Sequence, residues 1–281
     1  GKPVVEKLRK VGQKYGYTFL LYKTRSNLHG IGQVRNRSFY FFFKDTDTPV
    51  FDYFDKPMEK IEDIIRNAYV SDDDPMNELV NDKKPSEDPW YKFILEEIHD
   101  GMSHKDFFDQ LEKSTNTLNY IEEKMGLDYY PKLSEWFKER GYDKEAAKCL
   151  RIDAKYKAGG NIMKRGIEFG KGHTSAFVGH FATQLAHPDE DRYISIREAL
   201  SIMKMPKDFQ LQGGRKNLNM ICQNVPVCTA QDMAENVLKY LEGGCDTMQT
   251  DFIKQNNTNR TIEYVNNTTT LDEFFVDNIS N

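Results

Sequence analysis

The chain has 281 residues, 30% of them charged and 12% aromatic, with a formal net charge of −5 and a mean hydropathy of −0.71. That length can bury a substantial core in one large or two small domains. No apolar run approaches the ~18 residues of a membrane span, and no basic-then-apolar leader opens the sequence.

Pro3 to Tyr15 reads as a helix, with Val4, Val5, Leu8 and Val11 on one face and Gly16 as its stop. "YTFLLYKT" predicts a strand, "RSNLHGIG" a loop, and "SFYFFFK" a second strand too uniformly apolar to keep a wet face. A boundary falls near Asp45–Pro49. Lys56 to Tyr69 is an amphipathic helix, and two acidic, Pro-containing stretches after it read as exposed connection. Between Trp90 and Tyr142 three helical patterns occur, around 93–98, 107–111 and 133–137, forming core and scaffold. "KAGGNIMKRGIEFGKGHTSAFVGHFATQLAHP" is a loop-and-strand region, Asp191 to Met203 is helical again, and Thr229 to Leu241 is a helix with Thr229 as N-cap and Gly243–Gly244 as stop. Beyond Thr250 little can form a core, so 251–281 is expected to be a flexible tail. Its Asn-x-Thr triplets, one around Asn257 and two starting at Asn266 and Asn267, read as polar tail rather than glycosylation sites.

Charge is segregated along the chain. Gly1–Lys44 carries ten Lys/Arg against one acid, Asp45–Asp100 six against seventeen, and Arg151–Lys171 six against two. This pattern suggests a basic face for a polyanion and an acidic insertion directed elsewhere. Cys149, Cys222, Cys228 and Cys245 form no CxxC or Cys/His cluster, which predicts free thiols in a reducing, cytoplasmic setting and no metal site. His180 and His187 also lack ligand partners in the sequence and read as structural.

Three blocks then carry the chemistry. "GIGQVRNRSF" places Gly30, Gln33, Arg35 and Arg37 ahead of a hydrophobic strand. "RYISIREALSIMKMPKDF" contains Arg192, Ser195, Arg197, Glu198, Ala199, Pro206 and Phe209. "ICQNVPVCTAQDMAENVLKYL" contains Ile221, Val225 and Pro226 before a long helix. In this order, with a variable insert after the first, they resemble motifs VIII, IX and X of the cytosine-5 DNA methyltransferases. The likeness covers about 1–48 and 186–241. Gly32 stands where the family usually has Pro, Met205 for Phe, Cys222 for Gly, Gln223 for Asn, and Asn224 for a small residue.

The resemblance implies an α/β protein: the C-terminal part of a Rossmann-like, S-adenosylmethionine-dependent methyltransferase fold with a helix-rich target recognition domain. Residues 1–48 would end the catalytic domain, 49–185 would form the recognition domain, and 186–250 would return to the catalytic domain. Implied partners are double-stranded DNA and an N-terminal methyltransferase half or subunit, in the cytoplasm of a prokaryotic or phage-infected cell. The family's Phe-x-Gly-x-Gly cofactor loop and Pro-Cys-Gln nucleophile do not occur in this sequence, and the Glu-Asn-Val at Glu235–Val237 lies within the final helix as a decoy. The missing half would therefore supply motifs I, IV and VI and most of the S-adenosylmethionine site.

By the same resemblance Arg37 donates to O2 of a cytosine swung out of the duplex, Arg35 braces the pocket, and Gln33 anchors the turn. Gln223, Asn224 and Val225 are the cofactor-contact candidates. Lys164, Arg165, Lys171 and His173, among glycines that permit close backbone approach, are candidates for DNA contact. Arg192, Arg197 and Glu198 read as structural, the last two as a buried organising pair. The alternative reading is a non-catalytic DNA-binding or regulatory module derived from such an enzyme.

Overall fold

"TFLLYKTR" forms β1 (Thr18–Arg25), and its residues 18–22 are all buried because both faces of the strand are covered. Phe19 and Leu21 meet Phe252, Val5 and Leu8 on one face. Leu20 and Tyr22 join Phe51, Met233 and Ile253 on the other. The computed structural model describes residues 2–177 and 182–264, so the expectations for His180, Asn266 and Asn267 fall outside the described residues. Packing divides the chain into two units, one made of the residues up to Met58 with those from Val225, the other of Glu59–Asn224.

In the first unit β2 (Asn36–Phe43) runs antiparallel to β1, from Thr18 opposite Phe43 to Arg25 opposite Asn36. β3 (Phe252–Asn256) runs parallel to β1 on its other side, and β4 (Thr261–Tyr264) closes that flank antiparallel to β3. The order is β4-β3-β1-β2. Two expectations are corrected here. β2 does have a wet face: it is the outermost strand of this sheet among the described residues, and Tyr40 and Phe42 are 45% and 40% exposed.

The segment after Thr250 is no mobile tail as far as Tyr264. Its polar residues are what tie it down. Gln255 accepts from the Phe51 N–H (3.0 Å) and donates to the Phe51 carbonyl (2.5 Å). Asn257 accepts from the Phe54 N–H (2.8 Å) and donates to Thr24 Oγ1 (3.0 Å). Buried amides that satisfy backbone groups act as core residues despite their polarity.

The helix Lys2–Lys14 lies as expected. The last helix begins earlier than predicted, spanning Val227–Leu241 with Pro226 at its N-cap. Thr229 is therefore a fully buried interior residue with no capping role, and its hydroxyl has no partner among the described residues. Gly243 (φ +75°) ends the helix.

The second unit is mainly helical, built on Ile61–Arg66, Pro89–Phe93, His104–Asp109, Thr117–Met125, Tyr130–Glu139, Asp143–Lys157, Ile196–Ile202 and Leu218–Gln223. Short polar residues start several of these. Asp88 Oδ1 accepts from the Trp90 and Tyr91 N–H groups, Ser103 from Asp106, and Asn116 from Asn119, each worth about 1 kcal/mol. The 15-residue helix Asp143–Lys157 escapes sequence reading because only Ala146, Cys149 and Ile152 on it are buried. Tyr91, Phe93, Phe107, Phe137 and Phe169 fill the centre, and Ile194, Ile196, Ala199, Leu200 and Ile202 belong to the same cluster. The helix Ile196–Ile202 thus packs within the inserted unit, and the packing divisions fall at 58/59 and 224/225.

Candidate functional site

The turn leading into β2 is held by its own residues. Ser26, fully buried at the end of β1, donates its hydroxyl to the Gln33 carbonyl and accepts from the Arg35 N–H at 2.8 Å. The Ser26 N–H donates to the Arg35 carbonyl at 2.9 Å. Gly30 has φ +84°, and a Cβ there would meet the Pro57 carbonyl at 3.4 Å, so the sharp turn requires glycine. Gln33 is fully buried, while Arg35 and Arg37 are half-buried. Burial first, and then the neighbouring Arg35 charge, pulls the Arg37 guanidinium below its ordinary pKa. Arg37 lies opposite Thr24 and donates from Nη1 to the Asn36 carbonyl (3.2 Å). Gln33 and Arg35 thus precede β2, and Arg37 is its second residue.

Behind this turn lies a polar cluster that the sequence gives no reason to assemble. His29 Nδ1 is 2.6 Å from Asp232 Oδ2, and its Nε2 is 2.7 Å from Thr24 Oγ1. Lys56 Nζ donates to Asp232 Oδ1 at 2.5 Å. The ring of His29 packs on Phe54 with centroids 5.1 Å apart. His29 and Asp232 are almost wholly buried, and burial lowers the imidazole pKa despite the opposing Asp232 hydrogen bond. Thr24, the cross-strand partner of Arg37, thereby joins the His29–Asp232 cluster to β2. The carrying signal, a histidine immediately before Gly30, is visible in sequence; its partner 203 residues away is not.

In the second unit the glycine-rich basic segment divides. Arg165 and His173 are exposed. Lys171 is half-buried, donating to the Phe108 carbonyl (3.3 Å) and lying 5.0 Å from that ring. Lys164 is tied to Glu122, whose other oxygen accepts from the Tyr130 and Tyr156 hydroxyls at 2.6 and 2.8 Å. It serves as a buttress within the unit.

Glu168 is an acid that sequence reading passed over. Burial pushes its carboxyl up to about 7, against the lowering effect of Asn116. Near neutrality this segment therefore carries less negative charge than its composition implies. A raised carboxyl stabilises the fold fully below the unfolded value near 4.5, and that contribution is lost as pH rises through about 7. Glu168→Gln should therefore raise stability in urea denaturation by roughly 2 kcal/mol at pH 8, allowing for its partial exposure, and by less than about 1 kcal/mol at pH 5. Equal effects at both pH values would refute an ionised, strained Glu168.

The expected Arg197–Glu198 pair does not form. Adjacent residues on a helix point about 100° apart, and each finds a different partner. Arg197 forks onto Asp74 (Nε 2.5 Å, Nη2 3.0 Å). Glu198 completes a capping box with Ser195 and binds both amino groups of Arg192 at 2.8 and 2.9 Å. His187 takes the Asp189 and Glu190 N–H groups on Nδ1, a structural role. Gln223 and Asn224 are exposed at the end of Leu218–Gln223, and the apolar hollow that Asn224 borders with Leu200, Met203 and Ile221 measures about 20 Å³. Val225 is half-buried at the start of the other unit's returning segment. Glu235 is exposed and accepts from Gln231 (2.9 Å), in keeping with a decoy. Burial pushes the Cys149 thiol up to about 12 and raises Cys245 as well, the reverse of what a nucleophilic thiolate needs. Among the described residues no group of acids, histidines and cysteines is arranged to hold a metal, and no helix is long and apolar enough to cross a membrane.

A family model for C-5 cytosine-specific DNA methylase matches residues 2–239. No curated protein matches the chain.

Proposed function

Because the chain belongs to the C-5 cytosine-specific DNA methylase family, we propose that it is the C-terminal half or subunit of a DNA (cytosine-5)-methyltransferase. In this reading it supplies target recognition and the base-pocket arginines, and a second half carries the cysteine nucleophile and the S-adenosylmethionine loop. The family acts on DNA, and S-adenosylmethionine supplies its methyl group. A Rossmann-like sheet would be completed by further strands from the second half, for which the outer edge of β2, with Tyr40 and Phe42 exposed, is the available place.

The observation that carries the reading is the clamped turn of Gln33, Arg35 and Arg37. Arg35 and Arg37, half-buried two residues apart, bring guanidinium donors to a place where developing negative charge could be met. A flipped cytosine attacked at C6 by a thiolate develops such charge around O2. Arg37, held by the Ser26 clamp and, through Thr24, the His29–Asp232 cluster, would donate there. Arg35 would fix the adjoining backbone. The thiolate would come from the partner half, since the family's Pro-Cys-Gln does not occur in this sequence. The cofactor does not fit the described residues by themselves: the hollow beside Asn224 has room for little more than a water. Gln223 and Asn224 are left with at most an edge contact, and no step is assigned to them.

The chain incubated alone with tritiated S-adenosylmethionine and mixed-sequence DNA is expected to give no label in cytosine. Co-expression with a polypeptide bearing Phe-x-Gly-x-Gly and Pro-Cys-Gln is expected to restore it. Label from the chain alone would overturn the divided-enzyme reading. Failure of every such partner to restore transfer would favour the non-catalytic DNA-binding module.

A further inference from the structure

At the end of the sheet where β1 and β3 both finish lies a cleft of about 390 Å³, walled by Lys23, Arg25, Asn36, Ser38, Asn256 and Thr258, with Arg37 also on its lining. Register explains the grouping. Lys23 lies opposite Ser38 on β2 and Asn256 on β3, and Arg25 lies opposite Asn36. Residues two apart on a strand share a face, so Lys23 and Arg25 present two positive charges side by side, facing only neutral cross-strand neighbours.

Among the described residues neither of the two forms an ion pair, whereas Lys254, the next cation on that face, is matched to Glu263 across the strand at 2.5 Å. The amides are committed in one sense. Asn36 Oδ1 accepts from Arg25 Nε (3.3 Å), and Asn256 Oδ1 accepts from the Thr258 N–H (3.1 Å). Their NH2 groups are left to donate, alongside the hydroxyls of Ser38 and Thr258. Among the described residues no carboxylate lines the cleft. Two cations and four neutral donors around one opening form a receptor for an oxyanion.

We infer that this cleft seats a backbone phosphodiester of the DNA strand, with Lys23 and Arg25 as its charged contacts. The choice of DNA rests on the proposed function, because Arg37, between Asn36 and Ser38 on β2 and on the other face of that strand, borders the cleft, and its role there is to meet the extruded base. A phosphate seated beside that arginine would fix the sugar–phosphate chain of the extruded nucleotide while the base is held by separate groups.

The test is a binding measurement on the chain itself and needs no methyl transfer. Affinity for a fluorescent single-stranded oligonucleotide is followed from 0.1 to 1 M salt. Lys23→Gln/Arg25→Gln should lower the slope of log affinity against log salt by about 1.4 units, two contacts at ~0.7 each. That corresponds to roughly 25-fold weaker binding at 0.1 M, converging on the unchanged protein near 1 M. Ser38→Asp, which sets a carboxylate opposite Lys23 at an exposed position whose cross-strand ion pair offsets the poor strand propensity of Asp, should weaken binding in the same salt-dependent way without loss of fold.

Affinity and slope unchanged in both variants would overturn the seat, as would an unaltered chain with no salt-dependent binding. Displacement of the oligonucleotide by inorganic phosphate well beyond chloride at equal ionic strength would also overturn it, by reassigning the cleft to a free anion. Intact phosphate binding with no methyl transfer from any complementing half would instead count against the proposed function alone.

Discussion

Arg37→Ala in the reconstituted enzyme is expected to lower the single-turnover rate about a hundredfold or more while duplex affinity stays nearly unchanged. The effect is large because the guanidinium is fixed before the base arrives: Ser26 clamps the turn, and β2 pairs Arg37 with Thr24, itself bonded to His29 and Asn257. Such a donor acts on charge that appears during reaction, whereas duplex affinity is spread over many phosphate contacts. Removal of one preorganised donor of this type costs ~3 kcal/mol. Arg37→Lys should rescue little, since an ammonium on a flexible stem does not reproduce a planar fork. A single-turnover loss below about threefold at saturating DNA would sink the assignment of Arg37 to the base.

The second large effect concerns stability rather than rate. Arg197 and Asp74 are a buried pair, their side chains 3% and 5% exposed, joined through both Nε and Nη2. Asp74 also accepts the Met76 N–H (3.0 Å) at the start of the turn Pro75–Asn77. The hydrogen bond from Arg197, ahead of other causes, holds its carboxyl below the ordinary range. Arg197→Ala leaves that carboxylate buried without its partner and should cost ~3–5 kcal/mol in chemical denaturation. Arg197→Met with Asp74→Asn removes both charges yet keeps an oxygen for Met76, and should recover most of the loss. If the single variant lost less than about 1 kcal/mol, the pair would have to be solvated.

Local chemistry was legible in the sequence where spacing alone sets geometry. Gln33, Arg35 and Arg37 at intervals of two, after a glycine that must take positive φ, define one turn and one strand. Glu235 could be dismissed because its position falls inside a helix, although the buried face of that helix is Thr229, Asp232, Met233 and Asn236 rather than a stripe reaching Leu241. Pairings across distance were not legible. His29 meets Asp232, and Gln255 meets Phe51, only once β3 lies beside β1. Polar composition hid β3, because its amides bond to backbone that no pattern identifies. Adjacency in sequence is not adjacency in space: Arg197 and Glu198 leave the helix about 100° apart and find separate partners. The two wet positions on β2 were missed since aromatic content does not report which face a neighbouring element covers.

The place of β3 also fixes the order in which the molecule can be completed. β1 ends at Arg25 and its parallel neighbour begins at Phe252, so roughly 230 residues must be synthesised before the two meet. At 5–20 residues per second that interval is about 10–45 s. The segment 59–224 has its own aromatic centre and emerges whole within that time. β1 meanwhile lacks β3, so its second hydrogen-bonding edge and the sides of its residues that meet Phe252 and Ile253 stay uncovered. Sequence-distant parallel pairing of this kind gives slow folding and a long period of exposure to aggregation. A nascent chain stalled before Phe252 would therefore be a client for chaperones, while its inserted helical unit was already folded.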